Sequence, residues 1–259
     1  MANTFYMTDT IIKNMRKLIF LFCFQCFVSL SNAQEITNLI FVSSKGVTDN
    51  VKEAESFILI KKYPSGSFER KDYKLYGPLK QMKTYSDSSL SILNGIYCTY
   101  AVNGYIQVLG HYLNNKKDGY WLKFDEKGKT LVTEKYLSDS LVESKIPDTT
   151  DETKIVPLKA GEIEAEYRGG IAALRKYLVK NLKADLAQKS VNGGQVNMAF
   201  TVGTEGQVFD LYLRKSVEFI LDEETFRVIS KMPKWNPAEQ DGKKVNAYRI
   251  QPITFELIR

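Results

Sequence analysis

LDEETFRVISKMPKWNPAEQDGKKVNAYRIQPITF, residues 221–255, is the stretch on which the fold turns. It reads as a helix, a corner built around a tryptophan, a turn and a long strand. Asp222 stands at an N-cap position, with Glu223 and Glu224 in the first turn, where the positive end of the helix dipole favours acids. Leu221, Phe226, Val228, Ile229 and Met232 supply apolar residues, among them the charged Arg227. Pro233 stops the helix because it has no N–H and crowds the preceding turn. Trp235 and Pro237 make the corner, with Trp235 expected in the core, and Asp241-Gly242 makes the turn. Val245 to Leu257 reads as one final strand. Pro252 inside it cannot donate to a ladder, so it marks an edge or a bulge. A helix start explains the three carboxylates better than acid–base chemistry does.

Upstream, Gly169-Gly170 opens a helical pattern with Ile171, Leu174, Leu178 and Leu182 on one face. Val196, Met198, Phe200 and Val202 alternate with polar or small residues, as in a half-buried strand. Gly203-Thr204-Glu205-Gly206 turns the chain into a returning strand, Val208 to Arg214. The order helix, strand, strand, helix, strand specifies an α+β domain of two layers: two helices on a three-stranded antiparallel sheet. Such a sheet has an open edge, and its partly polar last strand suits the addition of a foreign strand. The segment expected to accept it is Val245, Asn246, Ala247, Tyr248, Arg249, Ile250 and Gln251.

Before this domain the chain is rich in Tyr, Gly and turn residues. Asn94-Gly95-Ile96-Tyr97-Cys98-Thr99-Tyr100 aligns with Asp118-Gly119-Tyr120-Trp121-Leu122-Lys123-Phe124. The same offset of 24 carries Gly104 onto Gly128 and Tyr112 onto Tyr136, and a fixed offset of this size marks a repeat array. Asn103-Gly104 and Lys127-Gly128 turn each unit into an antiparallel hairpin. A lone hairpin is marginal, so successive hairpins must stack into one sheet. The aromatics are expected to pack that sheet, with an exposed docking face as the alternative. Residues 140–165 are acidic and carry Pro147 and Pro157, so they read as a linker that separates two units without tight packing.

Met15-Arg16-Lys17, an apolar run of 13 residues from Leu18 to Leu30, and the small residues Ser31-Asn32-Ala33 read as an export signal cleaved near Ala33-Gln34. The run is short of the about 20 residues that a spanning helix needs, which leaves an uncleaved anchor as the minority reading. Residues 1–33 are therefore assigned to the signal segment, with 15–33 the leader proper, 34–139 to the β-rich domain, 140–165 to the linker and 166–259 to the C-terminal domain. Cleavage removes Cys23 and Cys26 and leaves Cys98, expected as a small core residue. One thiol forms no internal disulfide, so packing must supply the stability. His111 is the only histidine and is expected on a strand, at the surface or half-buried. Nothing in the pattern calls for a metal, a cofactor or a catalytic residue. Net charge is +6 with both signs interspersed, which argues for a solvated surface and against nucleic acid.

The hairpin segment resembles the MORN-type repeat on Asn94-Gly95-x-Tyr97, Gly110-x-Tyr112 and Asp118-Gly119-Tyr120-Trp121 through Gly128 to Tyr136. That resemblance implies a curved antiparallel sheet used as spacer or docking surface. The C-terminal region resembles the TonB C-terminal domain in its Bacteroidetes-like form. The residues that carry it are Gly169-Gly170, Gly194, Phe200-x-Val202, Gly206, Leu221-Asp222-x-Glu224, Arg227-Val228, Met232-Pro233-x-Trp235-x-Pro237, Gly242-Lys243-x-Val245 and Pro252-Ile253-x-Phe255. Tyr167-Arg168 departs from the usual Phe-Pro before the glycine pair. The resemblance implies a periplasmic, non-enzymatic domain that grips the peptide of an outer-membrane transporter by strand addition. The partner is then a transporter or another envelope protein, with a homodimer left open. The expected protein is an exported TonB-like binder supporting transport. The alternatives are a short membrane-anchored energy transducer and an envelope scaffold without a transport role.

Overall fold

The computed structural model describes residues 35–147, 162–183 and 185–257. The leader and most of the expected linker lie outside these residues. The first block forms an 11-stranded antiparallel sheet: β1 (Glu35–Ser43), β2 (Gly46–Val47), β3 (Ser56–Lys62), β4 (Phe68–Lys74), β5 (Leu79–Tyr85), β6 (Leu93–Tyr100), β7 (Ile106–Leu113), β8 (Lys116–Lys117), β9 (Gly119–Phe124), β10 (Thr130–Leu137) and β11 (Ser140–Lys145). The strands follow one another as a meander from β3 to β11, with the short β8 on β7 and β1 between β3 and β2.

The 24-residue offset is visible in the backbone. Asn114-Asn115 and Ser138-Asp139 both take left-handed conformations, φ 50° and 68° against 49° and 70°. Asn115 donates its N–H to the Leu93 carbonyl and its Oδ1 accepts from the Leu93 N–H, at 2.9 and 2.7 Å. Asp139 does the same to Lys117 at 2.9 and 2.7 Å. Short Asn and Asp side chains tolerate φ > 0 because they bond locally to backbone.

Strand alternation divides the sheet's side chains between two faces. Phe57, Tyr73, Met82, Cys98, Tyr100 and Phe124 are buried in the main core. Tyr97, Tyr112, Trp121 and Tyr136 meet ring to ring on the other face, with centroids 5.5, 5.0 and 6.2 Å apart in that order. Trp121 is buried directly over Gly110, where a Cβ would come 2.3 Å from its ring. His111 is exposed and Cys98 is fully buried, as expected.

The C-terminal block contains α1 (Gly170–Asn181), α2 (Asp185–Lys189), β12 (Gly194–Val202), β13 (Val208–Lys215), α3 (Phe219–Ser230), β14 (Ala238–Gln240), β15 (Lys243–Val245) and β16 (Ala247–Phe255). Its main sheet is three-stranded and antiparallel, ordered β13-β12-β16, with β14 and β15 as a separate hairpin. Leu174 and Leu178 bury the α1 stripe as expected, but Ile171, in the first turn, is 67% exposed. The short α2 adds a third helix to the expected two.

Two expectations need correction. The sheet continues through β11, six residues into the stretch read as linker. The two blocks are also packed together, with residues of both in a single core cluster. Phe57 stacks on Tyr73 at 5.4 Å, and both rings meet Phe219 of α3 edge-on at 5.4 and 5.5 Å. The Leu79 N–H donates to Ser216 Oγ at 2.7 Å, the Ser216 N–H to the Gly104 carbonyl at 2.9 Å, and Asn192 Nδ2 to the Tyr76 carbonyl at 2.8 Å. The loss of periodicity near residue 140 marks a change of architecture and not a gap between independent bodies.

Candidate functional site

β12 lies at the centre of the C-terminal sheet, so the sheet has two edges. The β13 edge meets the first block: Lys215 bridges to Tyr105, and the Arg214 guanidinium donates to the Gly128 carbonyl and lies 4.2 Å from the Phe124 ring centroid. The β16 edge is different. Among the described residues β16 pairs only with β12, in unbroken register from Gly194↔Phe255 to Val202↔Ala247. Alternate residues of an antiparallel edge strand turn their N–H and C=O away from the sheet. Pro252 sits in this edge opposite Asn197 without a shift of register, so it marks the edge and not a bulge.

The expected docking segment is not one strand. Val245 pairs with Ala238 in the small hairpin, Asn246 is the joint, and Ala247 through Gln251 begin β16. Two strands leave the turn in different sheets because Ala238–Gln240 captures the first part. Tyr248 and Ile250 project outward, 48% and 45% exposed. The Tyr212 hydroxyl donates to that of Tyr248 at 3.0 Å. On the other face Arg249 pairs with Glu164 at 2.8 Å and donates to the Ala165 carbonyl. Residues 163–166 themselves bridge to Asn236 and Glu239, not to β16. The strap thus holds the corner in place beside the edge and leaves the edge backbone uncovered by its own.

The corner fixes where that edge stands. Trp235 is buried between Tyr167 at 5.6 Å and Phe200 at 5.4 Å, so Tyr167 supplies the aromatic ring where a phenylalanine was the usual residue. The Trp235 N–H donates to the Gly206 carbonyl at 2.8 Å. Gly206 has φ 81°, and a Cβ there would lie 2.1 Å from the Trp235 oxygen. Gly169 precedes α1 in a left-handed conformation and Gly170 shares it. Pro233 and Pro237 flank the corner outside the helix and strands, and Gly242 turns β14 into β15 at φ 70°. Leu221 and Phe255 are buried in the core.

The acidic run begins inside the first turn of the helix and not at its cap. α3 begins at Phe219, with Glu218 as its N-cap residue, so Asp222 is not the cap. Each of its three carboxylates is committed to a different neighbour. Asp222 accepts from Ser216 Oγ and from the Val217 N–H at 3.0 Å. Glu224 accepts from the Lys183 N–H and from Arg227, both at 2.7 Å, and Arg227 also donates to the Asn181 carbonyl. Glu223 crosses to the first block and pairs with Lys61 and, at 3.0 Å, with Lys71. Lys71 also meets Glu69 at 3.0 Å, and the Tyr63 hydroxyl donates to Glu69 at 3.0 Å. Both lysines are almost wholly buried, 5% and 3% exposed. Burial pushes the Asp222 carboxyl up to about 7, against the bonds from Ser216 and Val217. Burial would also raise Glu223, but the two ammonium groups outweigh it and hold it down at about 2.

The overall charge balance points to a solvated surface and does not single out these two lysines. The signal lay in period-2 positions: Phe57, Leu59 and Lys61 share one strand face, as do Glu69, Lys71 and Tyr73. Pairing charges inside the protein across the interface is costly unless every partner is present, so a docking that parted Glu223 from Lys61 and Lys71 would leave buried charges unpaired.

Residues 185–257 match the family model of the Gram-negative bacterial TonB protein C-terminal. The match spans α2 to the end of β16 and contains the Trp235 corner, the acidic run and the edge strand. Gly169, Gly170 and α1 precede it. No curated protein and no solved structure matches the chain.

Proposed function

We propose that this chain is an exported, periplasmic TonB-like protein that binds an outer-membrane transporter-type peptide by strand addition at β16, supporting transport across the envelope. The observation that carries the reading is the asymmetry of the C-terminal sheet: β13 faces the first block, while β16 carries no backbone partner among the described residues. A peptide added there gains main-chain hydrogen bonds from the edge and side-chain contacts with Tyr248 and Ile250. The match over residues 185–257 supports a transport-associated role and no catalytic one. The MORN-type reading of the first block rests on its repeat, and its role here is to hold α3 and β13 in place. Cleavage near Ala33-Gln34 would release the protein as a soluble binder.

A photo-crosslinking residue at Tyr248 or Ile250, activated in intact cells, is expected to capture an outer-membrane protein. The same residue at the exposed Val102, on the first block, is the control. Equal adducts from all three positions, or none from β16, would overturn the reading. Sequencing the mature N-terminus tests the soluble form: a start near Gln34 is expected, and an intact leader would favour the anchored transducer.

A further inference from the structure

The large sheet ends at β11, and all six residues of that strand are exposed. Leu141, Val142 and, just beyond, Ile146 are 54%, 57% and 73% exposed. By the 24-residue offset β11 stands where residues 116–121 stand one unit earlier. Lys145 takes the place of Trp121, so the ring ladder stops at Tyr136. Among the described residues no strand pairs with the outer side of β11. Repeat arrays close with capping units that have a polar outer face. An exposed edge carrying apolar side chains instead templates the pairing of another strand.

We propose that β11 pairs antiparallel with β11 of a second copy of this chain, joining two sheets across a two-fold axis. Such an axis makes the strand its own partner, so the register has to be self-complementary. Centred on Ser144, it sets Glu143 opposite Lys145 of the second copy, and Val142 opposite Ile146 of the second copy, each twice. Opposite charges and apolar pairs directly across a sheet are both favourable. Within the chain Glu143 already lies opposite Lys135, and Lys145 opposite Thr133. The dimer therefore carries a row Lys135, Glu143, Lys145, Thr133 across four strands, with the last two from the second copy. Centring the register between Val142 and Glu143 instead sets the valine against the glutamate and pairs no charges. The register irregularity leaves Val142 as the extra residue between Leu141 and Glu143, so the Glu143–Lys145 charge pairs fall in the regular part of the strand and the Val142–Ile146 pairs at its two margins. This surface is separate from the β16 edge, so the pairing stands or falls independently of peptide binding.

Charge exchange tests it in sedimentation velocity of the purified full-length chain. The wild-type mass is expected to rise with concentration from one chain to two. Glu143→Lys and Lys145→Glu should each abolish the rise, because they put like charges opposite each other. The double exchange Glu143→Lys with Lys145→Glu should restore it. These side chains are exposed, so each variant is expected to keep the wild-type circular dichroism, which is recorded alongside. A chain that stays monomeric at every concentration overturns the proposal, as it would if its own residues cover the edge. A dimer indifferent to the single exchanges, or not restored by the double one, overturns it as well.

Discussion

Glu223 holds two lysines inside the protein at once, and removing its charge takes away the ion pair of Lys61 and leaves Lys71 with that to Glu69. Breaking a buried pair from one side costs about 3–5 kcal/mol, because the remaining charge loses its compensation. Glu223→Gln keeps the shape and should lower stability by that order in urea denaturation, while an exposed pair such as Lys189–Asp185 should be worth about 0.3–0.5 kcal/mol. A midpoint unchanged by Glu223→Gln would contradict the burial of the cluster. The two neighbouring acids give opposite pH dependences. Glu223 is held down at about 2, so its contribution is present above the usual carboxylate range and is lost as the pH falls toward that value. Asp222 is pushed up to about 7. The folded state then keeps a proton that the unfolded state has released. Its contribution is complete below the usual carboxylate range and disappears as the pH rises toward neutrality. Asp222→Asn keeps a neutral acceptor for the Val217 N–H. It should flatten the fall in stability between the usual carboxylate range and neutrality, as read by denaturation at a series of pH values.

At the scale of elements, the Trp235 corner decides where β16 lies. Trp235→Ala removes a ring packed between Tyr167 and Phe200 and should cost about 3–5 kcal/mol. Gly206→Ala should also destabilise, since φ 81° is unfavourable for alanine and its Cβ would meet the Trp235 carbonyl. A melting temperature unchanged by either substitution would place the ring outside the core. The same run shows what a sequence makes legible. Pro233, Trp235 and Asp241-Gly242 act through local stereochemistry, and the helix, corner and turn fall where those residues put them. The start of α3 was placed too late because acids usually cap, whereas Glu218 precedes the helix in extended conformation at φ −163° and turns its carboxylate to the Val191 and Asn192 N–H groups. The strand after the turn splits at Asn246 because β14 competes for Val245, a tertiary choice that alternation does not reveal. The open edge was legible through Pro252. The partners of Lys61 and Lys71 were not, because Glu223 lies 162 and 152 residues away along the chain.

For the molecule as a whole, the interface between blocks does work that a tether could not. Phe219 closes the aromatic cluster of the first sheet, Ser216 links Leu79 to Asp222 by a chain of hydrogen bonds, and Glu223 finds its cations only in β3 and β4. Gly104 marks how close the blocks come: a Cβ there would lie 2.0 Å from the Ser216 carbonyl oxygen, on a residue at φ 84°. The C-terminal block therefore depends on the first block for part of its core. Residues 162–259 expressed alone would uncover the side of Phe219 that meets Phe57 and Tyr73, at up to about 1.5–3 kcal/mol. They would also leave Glu223 without a counter-charge. The intact chain should unfold in one transition reported equally by far-ultraviolet dichroism and by tryptophan fluorescence, since Trp121 and Trp235 sit in different blocks. The isolated block should melt at a lower temperature than that shared transition, and Gly104→Ala should lower the midpoint of the intact chain by prising the blocks apart. Two separate transitions in the intact chain, with the later one matching the isolated block, would mean that the interface contributes nothing. Coincident transitions that shift together in Gly104→Ala would mean that the two blocks unfold as one cooperative unit, so that β16 is lost only when the sheet behind it is lost.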